Sequence, residues 1–266
     1  MANIVRMPKS GSDWTANDLN AYNILVKPLD STQFFGVRLE EVVPSIEGIV
    51  IDFDYSTNEE LVRPKEAKRL LQFLDLATRS PQESTVDTFA EKLLNAMDYD
   101  TGDRLVCTRR ILPLVICGHN SRAQTDICVL KDKTSPLLLM VQEDKRLETA
   151  KDPEPQVIAE AIAAFQENNK ARSDLGLDSV DSMLVPCITM VGTFPRFYLV
   201  PVDKELNASV MSGQYPINTT VVLKHTPRVP RRVSEGMKPI GSRKIILQCY
   251  EAFKIFVNEL EQLLDS

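Results

Sequence analysis

The chain has 266 residues, 43% of them hydrophobic, and a net charge of −6. It can bury one sizeable core, and its acidic balance excludes a coat protein that is basic over its whole surface while leaving room for a local basic face. Five cysteines with no CxxC pair exclude a disulfide framework and a structural zinc centre.

In chain order, residues 1–20 lack an apolar run of signal-peptide length and read as a lead-in, with a helix start at Thr15 or Asn17. AYNILV, FFGVRL and GIVIDF, within 21–55, read as strands or irregular packing segments broken by Pro28 and Pro44. Residues 62–78 have helical spacing, with Leu70, Leu71, Phe73, Leu74 and Leu76 on a broad apolar face. Residues 80–86 read as a loop. VDTFAEKLLNAMDY then reads as a second helix, capped by Asp87 or Thr88 and burying Phe89, Leu93, Leu94 and Met97. The expected division is 1–84 as an extension packed on the core and 85–266 as the main domain.

The pattern then changes to strands. RLVCTRRILPLVICG (104–118) is β-rich and interrupted by Pro113. TDICVL (125–130) and LLLMVQEDK (137–145) read as a hairpin across the turn KDKTSP. DPEP introduces the helix QVIAEAIAAFQENNKAR (156–172). MLVPCITMVG (183–192) and RFYLVPV (196–202) are two more strands. Residues 203–243 read as mixed loop and short strand, and 244–264 as a strong amphipathic helix. That last helix is core or a pairing face for a partner, including a homodimer. The run LLLMV has no polar alternation, which is the mark of a strand buried on both faces. The fold class is therefore α/β, a sheet between helix layers. No stretch approaches the roughly 18 uninterrupted apolar residues of a membrane helix. The expectation is an intracellular protein, in cytoplasm or nucleus, with no membrane partner.

The hairpin carries the chemistry. Glu143 and Lys145, two apart, share one face at the charged end of their strand. A turn centred near 133–134 sets Asp126 across from about residue 141, with Glu143 as its diagonal neighbour, roughly 7–8 Å away. A one-residue slip reverses that arrangement. Two carboxylates suit Mg²⁺ or Mn²⁺. Such a metal activates water beside a phosphate, and a nearby lysine orients that water or stabilises the developing charge.

Asp126 followed by Glu143-Asp144-Lys145 resembles the PD-(D/E)XK nuclease superfamily over roughly residues 85–203. The flanks are similar to those of fungal proteins of comparable length. The resemblance implies a restriction-endonuclease-like αβββαβ core, with a mixed central sheet flanked by helices, an N-terminal extension and a C-terminal helix. It implies metal-dependent hydrolysis of phosphodiester bonds, in DNA more than RNA, with Asp126 and Glu143 holding Mg²⁺ or Mn²⁺ and Lys145 placing the water. Glu91 is the counterpart of a further acid on the first core helix, for a second metal. Gln156 matches a glutamine early in the following helix, orienting a phosphate or the lysine. Thr125 stands where the family often has proline. Glu160 stands four residues after Gln156, unlike the tyrosine of the exonuclease-type variant. The alternative is a catalytically silent module of the same fold that binds nucleic acid or a protein partner.

Between Lys224 and Lys244, Arg228, Arg231, Arg232, Lys238 and Arg243 form a basic, proline-broken segment. It reads as a phosphate track whose binding weakens with salt. A solvated loop and a nuclear-import patch remain open alternatives. The two histidines sit in no triad-like setting, and there is no glycine-rich phosphate loop.

Overall fold

Helical periodicity and unbroken apolar runs resolve into a helix–sheet–helix sandwich in the computed structural model. It describes residues 6–55, 65–79, 82–131, 136–143 and 152–266, with the main chain alone for Glu83 and Glu143. Helix α1 (Ala16–Ala21) starts at Thr15, whose amide donates to Asp18 Oδ2 at 2.7 Å. Strand β1 (Ile24–Leu29) follows. FFGVRL and GIVIDF, expected as strands or irregular segments, instead contribute to two short helices, α2 (Ser31–Phe35) and α3 (Gly48–Asp52). Asp30 caps α2 by accepting from the Gln33 amide at 2.8 Å, and the turn buries Phe34 and Phe35.

Helix α4 (Lys65–Arg79) matches the helical spacing. Helix α5 (Glu83–Ala96) begins before the expected caps. Thr88 lies inside it, its hydroxyl bonded back to the Ser84 carbonyl at 2.7 Å, so the supposed loop supplies the first turn.

Strands β2 (Arg104–Ile116) and β3 (His119–Lys131) form a long hairpin closed by Cys117 (φ 52°) and Gly118 (φ 74°). Positive φ at both positions matches the right-handed twist of the strands. Pro113 does not interrupt β2, because β2 is an edge strand and such a strand tolerates a residue with no donor. Strand β4 (Leu137–Glu143), helix α6 (Glu154–Asp174), strand β5 (Ser182–Val191) and strand β6 (Phe194–Asp203) follow. Helix α7 (Lys204–Ser212) lies in the stretch read as loop. Asp203 caps it through the Leu206 amide at 2.7 Å, and Gly213 at φ 70° ends it. Strand β7 (Thr220–His225) and helix α8 (Ile240–Asp265) complete the chain.

The sheet order is β1-β7-β6-β5-β4-β3-β2. The pairs β1–β7 and β4–β5 are parallel and the rest antiparallel. Helix α6 packs on strands β2 to β6, together with α1 and residues 11–13. Helix α8 packs on β4, β5 and β6, joined by α2 and α3, while α4 and α5 extend that layer over β2, β3 and β4. The expected α/β class therefore holds. Among the described residues, no helix is long and apolar enough to cross a membrane.

Candidate active site

The sheet places Asp126 in the middle of β3, only 6% exposed, under the first turns of α6. Its Oδ2 accepts a hydrogen bond from the Gln142 amide on β4. Glu160, from α6, is fully buried beside it. Burial pushes the Glu160 carboxyl well above the usual range, the Asp126 charge pushes it further, and the Gln156 amide opposes them. Gln156 sits one turn earlier and donates from Nε2 to Glu160 Oε1 at 3.1 Å. Glu160 Oε2 has no hydrogen-bond partner among the described residues. Two carboxyl groups thus lie together at the carboxyl end of β4.

The pairing of Asp126 with Gln142 follows from a β-bulge. Near the turn Leu130 pairs with Leu137, and continuing that register sets Asp126 across from Val141, as the sequence suggests. The pairing next runs Val129↔Leu139, so Leu138 is an extra residue on β4. Beyond it Ile127 faces Val141, and Asp126 therefore faces Gln142. The expected diagonal placement of Glu143 is thus corrected by one residue. Glu143 ends β4, pairs with Met190, and falls out of phase with Asp126. Leu137, Leu138 and Leu139 are all fully buried, so no polar alternation pinned the register. Lys145 lies outside the described residues.

The other expected residues divide. Gln156 joins Asp126 through Glu160. Glu91 is half-buried on α5, in the helix layer across the sheet from α6, and is not brought to Asp126. Among the described residues, no three metal-ligating side chains form a group. The two carboxyl groups are nonetheless hard oxygen donors, and a divalent cation between them would favour the ionised form of Glu160.

A polar row crosses the sheet at the level of Asp126. Gln142 pairs with Thr189, and Thr189 with Arg196. Thr189 and Tyr198 are fully buried, and among the described residues neither Thr189 Oγ1 nor the Tyr198 hydroxyl has a hydrogen bond of good geometry. Beyond them the Lys224 ammonium lies 5.4 Å from the Tyr198 ring centroid and pairs with Glu154 in the first turn of α6. Sequence reasoning missed Gln142 and Glu160 as site residues. The signal for Glu160 was a lone acid inside the apolar run VIAEAIAAF, four residues after Gln156.

The basic segment also divides. Arg228, Arg231 and Arg232 are exposed. Lys238 is half-buried and engaged, with Nζ 2.6 Å from Asp75 Oδ1. Arg243 is fully buried, which corrects its assignment to a phosphate track. Its guanidinium donates to the carbonyls of Met237, Val50, Phe53 and Lys238 at 2.7–3.0 Å, holding the loop against α3. Four hydrogen bonds to carbonyls make such a buried charge tolerable.

No protein-family model and no curated protein matches the chain.

Proposed function

We propose that the protein is a divalent-metal-dependent nuclease of the PD-(D/E)XK type, acting on DNA in preference to RNA. The observation that carries this reading is Asp126, a buried acid on the middle strand of a three-strand run, held beside Glu160 where β4 ends and α6 begins. The element order α5-β2-β3-β4-α6-β5 supports the same reading, since it follows the αβββαβ order of that superfamily. Asp126 and the Glu160 carboxyl would hold Mg²⁺ or Mn²⁺. The metal supplies a water of lowered pKa and charge stabilisation at the phosphate. Gln142 and Gln156 orient the two carboxyl groups, and Lys145 is the proposed partner of the attacking water.

One observation favours a second reading, a catalytically silent module that binds nucleic acid or protein. The bulge sets Gln142, and not Glu143, across from Asp126. Calorimetric titration of Mn²⁺ into wild type and Asp126→Ala, with cleavage assays on single- and double-stranded DNA and RNA, separates the two. The nuclease reading expects metal binding and cleavage that both disappear in the variant. Wild type that neither binds Mn²⁺ nor cuts any substrate would overturn the nuclease reading in favour of the silent module.

A further inference from the structure

Strand β2 bends where it passes Asp126. The ladder runs Thr108↔Ile127 and then Arg110↔Thr125. Arg109 occupies the position facing Asp126 without a ladder pair, and its φ is 54°. A side chain in that left-handed region is strained relative to glycine. Thr125 marks the same irregularity on β3, its buried hydroxyl donating to the Ile127 carbonyl at 2.6 Å. The kink is thus shared by both strands at the acid.

Arg109 is exposed and Arg110 half-buried, and neither has an ion-pair partner among the described residues. Arg110 stands on the Asp126 side. Burial pushes the Cys128 thiol up to about 12, Cys107 adds to the rise, Arg110 opposes it, and Glu160 also acts on the same thiol. Among the described residues strand β2 is the last strand of the sheet, and no further strand covers its outer side. Two unpaired guanidinium groups beside a buried acidic pair are placed to hold an anion next to it. By contrast, the basic segment near α8 spends Lys238 and Arg243 internally.

We propose that Arg109 and Arg110 bind the phosphodiester backbone of the nucleic-acid strand presented to Asp126. This deepens the nuclease reading and rests on it. Guanidinium forks match phosphate oxygens two at a time. Such contacts position the strand and carry no base preference. The bent backbone at Arg109 separates the two arginines from the regular alternation of β2.

The test is the anisotropy of a labelled oligonucleotide in EDTA, which prevents cleavage, as a function of salt. Wild type is compared with Arg109→Gly, with the double variant Arg109→Gly/Arg110→Ala, and with Arg228→Ala/Arg231→Ala/Arg232→Ala. Glycine suits a φ of 54°, so Arg109→Gly keeps or raises the melting temperature while removing the cation. The double variant is expected to bind at least tenfold more weakly at about 100 mM salt, with the slope of log K against log salt reduced by about 1–2. The triple variant is expected to lose less. Unchanged affinity and slope in the double variant overturn the proposal, as does a wild type that binds no oligonucleotide at about 50 mM salt. Failure of the nuclease reading shows elsewhere, as absence of Mn²⁺-dependent cleavage by wild type.

Discussion

His225 lies among Phe34, Phe35 and helix α8, only 3% exposed, with Nδ1 3.1 Å from the Leu29 carbonyl and Nε2 3.9 Å from Cys249 Sγ. Burial holds its pKa below the ordinary histidine value, with the Leu29 hydrogen bond opposing that shift. The folded pKa is depressed, so the unfolded chain takes up this proton first as pH falls. The stabilisation is therefore complete above about pH 6.5 and is lost as pH drops from there toward the lowered folded value. His225→Phe removes that dependence at the cost of the Leu29 bond, about 1 kcal/mol. Urea unfolding at pH 7.5 and pH 5.5 is expected to show a larger fall in midpoint for wild type than for the variant. Equal falls would mean that His225 titrates normally in the fold. Residue types alone did not reveal this environment. The same holds for Arg243, which reads as one more cation in a basic run until α3 is found supplying carbonyls to it.

Elements were legible where one face decides everything. Helix α8 presents Ile246, Leu247, Tyr250, Phe253, Val257 and Leu260 to the core at helical spacing, and all are buried. This answers the choice between core and pairing face for most of that stripe. Phe253 carries the point, with ring centroids 5.1 Å from Phe197 and 5.7 Å from Phe256. Phe253→Ala is expected to cost about 3–5 kcal/mol in chemical denaturation. Phe256→Ala, at a half-buried position, should cost clearly less. A Phe253→Ala loss under about 1 kcal/mol would remove α8 from the core. Other elements escaped for local reasons. The cap of α7 at Asp203 and its Gly213 terminator were present in the sequence, but a nine-residue helix carries little periodicity. The extra Leu138 in β4 had no signature, because a strand buried on both faces reads the same in either register. That single residue decides which side chain faces Asp126, so the site was less legible than the strands that build it.

At the scale of the whole molecule, the first strand of the chain lies beside the last. β1 pairs in parallel with β7, at the opposite edge of the sheet from β2. The segment before residue 84 thus contributes a strand, and also Trp14, Tyr22, Phe34, Val50 and Leu71, to one continuous core cluster. Trp14 is fully buried, stacks on Tyr22 at 5.5 Å, and is the only tryptophan in the chain. Tyr22 in turn reaches Cys117 Sγ at 3.3 Å, in the turn between β2 and β3. Tryptophan fluorescence therefore reports on the docking of the N-terminal segment, while far-ultraviolet circular dichroism is dominated by the long helices α6 and α8. Parallel β1–β7 pairing joins residues about two hundred positions apart, so β1 has its place in the sheet only once β7 is laid down beside β6. The two probes are expected to give coincident urea transitions, as one cooperative unit requires. A fluorescence midpoint at lower urea than the circular-dichroism midpoint would show that the N-terminal segment detaches first, and that the core from α5 onward stands without it.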